Sequence, residues 1–231
     1  MGNSLQREKI ETMIKVTYID SAGTDETIIA AARQSTDGAF RGWGTPEKPG
    51  DEKLLKYLWD HRHSVPFEFC QLHIQIDAPI FVARQVYTHR TFSRSEMSGR
   101  YVEMALDFHE PNAWRVQATK NKQASAGVLD AIKQSVATNI YRGALQAIEH
   151  AYTALLALGV SREQARYILP LSTMTRWRMS GDLRCWLAFL DLRMASDVQE
   201  ETRDLANQVA AIIHERWPRT AEVAGLPKVD K

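Results

Sequence analysis

The run Arg84-Gln85-Val86-Tyr87-Thr88-His89-Arg90, continued by Thr91 to Tyr101, gathers the densest set of anion-binding groups in the chain. Arg84, Arg90, Arg94 and Arg100 alternate there with the hydroxyls of Thr88, Ser93, Ser95 and Ser98, with Gln85, His89, Glu96 and Met97, and with Gly99. Guanidinium forks match phosphate oxygens, and hydroxyls and loop amides add further donors. Gly99 lets backbone approach a ligand closely. A phosphate monoester is the ligand this composition would take. A solvated loop crossed by salt bridges would use the same residues.

Three further groups could do chemistry. His61-Arg62-His63 sits where a helix should end and a strand begin. No third and fourth ligand stands nearby, so no metal site is expected. Capping of the helix C-terminus is one use of these rings, and stacking on a planar cofactor is the other. Arg166 precedes Ile168-Leu169-Pro170. Arg193 follows Trp186, Phe189 and Leu190 at helical spacing, which draws it toward an apolar side. An arginine there needs an anionic partner, either a protein carboxylate or a ligand. Cys70 and Cys185 lie in apolar segments without CxxC spacing and read as buried free thiols of a reducing, cytoplasmic compartment. Phosphate loops, dinucleotide fingerprints, HExxH and GxSxG are all missing.

These residues need elements to hold them. Met13–Asp20 reads as a strand and Thr24–Ser35 as a helix. Asp37–Gly50, rich in Gly and Pro, reads as a loop, and Asp51–His61 as a helix. Phe67–Asp77 reads as a strand whose apolar phase changes between 69 and 70, which suggests a bulge or a switch of buried face. Pro79 can open the next helix, placing Arg84, Gln85, Thr88 and His89 on one polar side, with a loop beyond it. Gln117–Gly127 reads as a mobile loop. Leu129, Ile132, Val136, Ile140, Leu145, Ile148, Tyr152 and Leu156 predict a long helix that Gly159 closes. Ser161 and Gln164 suggest a capping box for a short helix ending before Pro170. Leu171–Ser180 is β-like, and helices follow over roughly Asp182–Met194 and Asp197–Trp217. The expected fold is α+β: helices packed on a small, mostly antiparallel sheet, in one domain over 1–231, with flexible termini at 1–12 and 219–231.

The 231 residues suffice for a sizeable core, and 44% apolar with 25% charged residues is ordinary for a globular protein. The net charge of +1 gives no reason to expect a nucleic-acid or membrane partner. No apolar run approaches the roughly 18 residues that span a bilayer, and the segment from Met1 to Lys9 is polar, with no signal-peptide core.

Thr88-His89-Arg90, seven residues, then Ser98 resembles the signature of flavin-dependent thymidylate synthases, Arg-His-Arg, seven residues, Ser. The likeness extends through Ala78–Gln85, Glu96–Tyr101, His63-x-x-Pro66-Phe67-Glu68, Arg166-x-x-Leu169-Pro170 and the helix ending at Leu192-Arg193, in the family's order. The resemblance implies that family's fold in a homotetramer, with interfacial active sites holding FAD against a uridylate. NADPH is the implied reductant and methylenetetrahydrofolate the carbon donor. By the same resemblance, the nucleotide falls to Arg84, Gln85, Thr88, Glu96, Met97, Ser98, Gly99, Arg100 and Arg166, with Arg193 on the uracil ring as the catalytic group. The flavin falls to Thr88, His89, Arg90, Glu96, Asp182, Leu183, Arg184 and Ala188, with His63 and Val65 near flavin or folate. The family needs no covalent enzyme nucleophile, which suits a chain without an obvious cysteine site.

The chain departs from the family at Thr88 in place of the first Arg, Asp182 in place of Asn, Ala188 in place of Asn or His, and Val65 in place of a hydroxyl residue. Three readings follow. One is C5-methylation of dUMP to dTMP, or of UMP (or both) as in a nucleoside-antibiotic pathway. Another is a non-catalytic nucleotide-binding paralogue. The last is a nucleic-acid module built on the Arg-rich loop, which the near-neutral charge argues against.

Overall fold

A computed structural model describes residues 14–45, 47–48, 50–122 and 124–227. Its elements in chain order are β1 (Lys15–Ala22), α1 (Asp25–Arg33), α2 (Glu52–Asp60), β2 (Gln71–Pro79), α3 (Ile80–Val86), β3 (Ser93–Glu96), β4 (Arg115–Gln117), β5 (Ser125–Val128), α4 (Ala131–Ala157), α5 (Arg162–Ala165), β6 (Met174–Asp182), α6 (Leu183–Arg193), α7 (Glu200–Arg216) and α8 (Pro218–Val223). The four-stranded sheet has the order β1-β2-β6-β3, and β4 and β5 form a separate pair. The pairs β1–β2, β3–β6 and β4–β5 are antiparallel. The expected α+β class, helices with a small antiparallel sheet, is what the chain forms.

The chain divides into two compact units of discontinuous segments. One comprises Ile14, Ala78–Ala83 and Ser98–Thr175, and the other Lys15–Asp77, Arg84–Met97 and the chain from Arg176 onward. In the second, period-2 alternation buries Leu72, Ile74 and Ile76 of β2 and Trp177 and Met179 of β6, leaving Arg176 and Arg178 exposed. Each such side chain contributes about 1.5–3 kcal/mol when fully buried. Ile28, Ile29, Trp186, Phe189, Leu205, Val209, Ile213 and Trp217 complete this core. Indole donors inside it are satisfied by backbone: Trp186 Nε1 donates to Leu72 O and Trp217 Nε1 to Gly23 O, each at 3.2 Å. Asp25 accepts from the Thr220 amide and hydroxyl and from the Arg219 amide, which fixes the start of α8.

The first unit packs Met104, Tyr152 and Ala165 with Leu155, Leu156, Val160, Ile168 and Leu169. The long helix has two apolar faces, where the sequence suggested one stripe. The step from Ile140 to Leu145 is five residues, a turn of about 140° on a helix of 3.6 residues per turn. Tyr152 is therefore buried, while Ile132, Val136 and Ile140 stand exposed.

Several expectations are corrected. The phase change near Cys70 is no bulge in β2. Val65–Phe69 form a 3-10 turn begun by Pro66, and the strand starts only at Gln71. The register shift falls in β1, between Tyr18 and Asp20. The loop expected beyond α3 contains β3, and the loop expected at 117–127 contains parts of β4 and β5. Helix α3 ends at Val86, so Thr88 and His89 lie on the turn after it rather than on its polar side. Ser161 makes no side-chain capping bond. The C-terminal segment is helical through Val223, with Thr220 and Ala221 buried, rather than flexible from 219. The expected termini at 1–12 and 228–231, and Met13 of the first strand, lie outside the described residues.

Candidate active site

Arg193 closes α6, where the helix dipole favours a cation. Its Nε donates to His89 Nε2 at 2.9 Å, and its Nη2 donates to the Thr88 hydroxyl at 2.9 Å and to the Gln85 carbonyl at 3.3 Å. Thr88 donates in turn to the Gln85 carbonyl at 2.7 Å. The turn that brings these groups round is held by Thr88 N to Gln85 O and His89 N to Val86 O. All partners of the guanidinium are neutral. The protein carboxylate expected for Arg193 is not there among the described residues.

His89 packs edge-on against Phe189, with ring centroids 4.9 Å apart. Its pKa is lowered from the ordinary imidazole value, first by burial and then by the adjacent Arg193 charge. The ring is thus neutral, with Nε2 accepting and Nδ1 protonated.

Around this centre the other signature residues are held by the protein. The Gln85 side chain donates to Gln199 and accepts from the Thr202 hydroxyl at 3.1 Å, so its amide is occupied by α7 and its preceding residue. Glu96 accepts from the Tyr87 hydroxyl at 2.9 Å. Burial, and then the nearby Glu96 carboxylate, push the Tyr87 phenol well above its ordinary pKa. Arg94 lies over the Tyr87 ring at 4.7 Å and donates to the Tyr87 carbonyl. Met97 is pinned by its amide to Arg176 O. Arg84 and Arg90 are exposed, and neither has a carboxylate partner among the described residues. Sequence reasoning missed Tyr87, Gln199 and Thr202, whose types carry no signal of their own.

The other unit holds a second basic cluster. The Ser98 hydroxyl accepts from the Arg100 amide at 3.3 Å, and Ser98 O accepts from the Tyr101 and Val102 amides. Gly99 is buried in the turn this makes. A Cβ there would come within 2.9 Å of Met104 Cγ and Sδ and 3.3 Å of Arg166 Cδ, so the absence of a side chain lets Arg166 lie against the turn. Arg100 pairs with Glu163 at 3.2 Å with both side chains about half exposed, a weak pairing that an anionic ligand could replace. Among the described residues, Arg166 Nε donates only to Glu163 O, at 3.4 Å.

The residues assigned to the flavin are more mixed. His63 is exposed and stacks with Tyr57 at 5.7 Å, while His61 Nδ1 lies 3.0 Å from Tyr57 O at the end of α2. His61 therefore takes the helix-capping use. Val65 and Phe69 are exposed on the turn that follows. Asp182 caps α6 by accepting from Cys185 N at 2.8 Å, and Arg184 pairs with Glu68 at 3.0 Å. Ala188 is exposed. Leu183 is fully buried, and its amide donates to Cys70 O. Its side chain belongs to the core.

Both thiols are buried and reduced. Burial pushes Cys70 up to about 11 and raises Cys185, so neither is a thiolate at neutral pH. No group of three or more metal-binding side chains is found among the described residues. No helix there is long and apolar enough to cross a membrane.

The helix-rich α+β fold presents a neutral-partnered arginine and two clusters of cations, groups whose chemistry suits phosphate oxygens. Comparison with known proteins makes the class specific. The family described as "Thymidylate synthase complementing protein" matches residues 16–219. A flavin-dependent thymidylate synthase of Thermus thermophilus is 43% identical over 203 residues, 88% of this chain and 72% of that one. One from Thermosipho africanus is 36% identical over 204 residues, 88% and 87% of the two chains. The structure of the UMP/dUMP methylase PolB from Streptomyces cacaoi bound with 5-Br dUMP matches with a TM-score of 0.80 and 31% identity, covering 92% of this chain and 94% of that one. PolB bound with 5-Br UMP matches equally. This chain belongs to the flavin-dependent thymidylate synthase family, and it is a methyltransferase.

Proposed function

We propose that this chain methylates carbon 5 of a uridine 5′-monophosphate, dUMP foremost, with reduced FAD as hydride source, methylenetetrahydrofolate as carbon donor and NADPH as reductant. The observation that carries this reading is the Arg193 guanidinium, oriented by three neutral acceptors and, among the described residues, neutralised by no carboxylate. Uracil carbon 5 is a weak nucleophile, and withdrawing charge through N3 strengthens it. A fixed guanidinium at the ring edge stabilises the negative charge that develops there. In the other unit, Arg100 and Arg166, with the Ser98–Gly99 turn, have the chemistry to take a phosphate.

The residues present fit a flavin. Exposed His63, Val65 and Phe69 offer an imidazole and apolar side chains for a planar ring, and the exposed Arg90 and Arg84 offer cations for its phosphates. When bound, FAD supplies the hydride. Both thiols are buried and protonated at neutral pH, which suits a route without attack by cysteine. We read the chain, 1–231, as one functional domain assembled into a homotetramer with interfacial sites. The exposed Ile132, Val136 and Ile140 on α4 support such burial between subunits. UMP remains the second reading, supported by the likeness to PolB and by Thr88 in place of a cation.

Competition of dUMP against UMP, with FAD, NADPH and methylenetetrahydrofolate, tests this, with products identified by mass. The expected product is dTMP, with 5-methyl-UMP as the alternative. A colourless protein that binds a nucleotide and turns over neither would instead be a non-catalytic paralogue, and light scattering tests the tetramer.

A further inference from the structure

We propose that Thr88 is a positioning residue whose hydroxyl, held by the Gln85 carbonyl, aims Arg193 at the nucleotide ring instead of contacting nucleotide or flavin itself. This rests on the uridylate reading above.

A guanidinium has five N–H donors. In Arg193 the Nε hydrogen goes to His89 Nε2, and the two Nη2 hydrogens go to Thr88 Oγ1 and Gln85 O. Three donors are therefore used on one side of the fork. The two on Nη1 have no partner among the described residues, so Nη1 is the edge left for a ligand. The Thr88 oxygen does two things at once, donating to Gln85 O at 2.7 Å and accepting from Arg193 at 2.9 Å. Its hydrogen is committed to the carbonyl, so its lone pairs are directed at the guanidinium. Gln85 is anchored through its amide to Gln199 and Thr202 at the start of α7. The line Thr202–Gln85–Thr88–Arg193 thus transfers the rigidity of α7 and α3 to the free edge of the arginine. Valine has the shape of threonine but no acceptor, and serine has the acceptor without the methyl group. Thr88 is exposed and lies beyond the end of α3, so either replacement is compatible with folding.

The experiment compares Thr88→Val and Thr88→Ser with the unmodified FAD-loaded enzyme, each checked for an unchanged melting temperature. Calorimetry gives dUMP and UMP affinity, steady-state kinetics give kcat and KM, and NMR follows the His89 ring through a pH titration. Thr88→Val should lower kcat about tenfold or more, and Thr88→Ser should stay within about threefold. In Thr88→Val the released guanidinium acts less on its neighbour, so His89 should titrate at higher pH than in the unmodified protein. Thr88→Ser should not show that rise. Equal kcat and equal His89 titration in all three proteins would overturn the role of Thr88. Failure of the unmodified enzyme to bind or methylate either nucleotide would instead overturn the uridylate reading.

Discussion

Arg193 gives its Nε hydrogen to Nε2 of His89 across 2.9 Å, a bond that only a neutral imidazole can accept. The pair thus works as a cation held by a base that must stay unprotonated. Acid removes the acceptor and sets two positive charges side by side.

A pH dependence follows from that pair. His89 titrates lower in the folded protein than its ordinary value of 6.5, so the unfolded chain takes up a proton first as pH falls. The stability linked to this group is complete above 6.5 and is lost as pH drops through the window below it. His89→Gln keeps an acceptor and does not titrate, so its melting temperature should fall less between pH 7.5 and 5.5 than that of the unmodified protein. Parallel melting curves for the two would show that His89 is not the group responsible.

Arg193→Ala removes a guanidinium whose partners are an imidazole, a hydroxyl and a carbonyl, all neutral. Loss of a positioned donor of this kind costs about 10²–10³-fold in kcat. Circular dichroism should show an intact fold, because Arg193 is only partly buried. Near-normal turnover in that variant would remove the catalytic role.

Gly99→Ala tests the second cluster. The added Cβ would sit 2.9 Å from Met104 Sδ and 3.3 Å from Arg166 Cδ, so one of them must move. Nucleotide affinity should fall several-fold, together with a destabilisation of about 1–3 kcal/mol. Unchanged calorimetric affinity would separate Arg166 from phosphate binding.

Replacing Cys70 and Cys185 together by Ala should leave turnover within about tenfold, roughly 1.4 kcal/mol of barrier. Stability should fall more clearly than activity, because both sulfurs are packed and Cys70 has no exposed surface. A nucleotide covalently trapped on either sulfur, seen by mass spectrometry, would contradict the route without an enzyme nucleophile.

The helices were legible where period and caps agreed. Asp182 and Met194 flank α6 and Asp51 and His61 flank α2, and Gly159, with φ of 82°, follows the end of α4. The short elements were not, because Ser93–Glu96 has no apolar alternation and becomes a strand only by pairing with β6. The candidate residues were legible by type, but their partners within the fold were not. Asp182 belongs to its helix, Leu183 to the core and Gln85 to α7, and each of those partners is remote in sequence or invisible to pattern. Likewise, nothing in the spacing of Arg193 announces that its acceptors are an imidazole, a hydroxyl and a carbonyl.

The pairing of β3 with β6 has a consequence for synthesis on the ribosome. Residues 97–173 are translated between the two strands, so β3 emerges while its partner does not yet exist. Closing so long a loop adds little to the equilibrium cost, since that cost grows only with the logarithm of length, but it delays the pairing. During that delay β3 carries unpaired backbone groups that could capture a strand from another nascent chain. Its sequence, Ser-Arg-Ser-Glu, answers the hazard, for charged and hydroxylated edges discourage stray pairing. The residues that make β3 hard to recognise as a strand are thus the ones that keep it available until Arg176–Ser180 arrives.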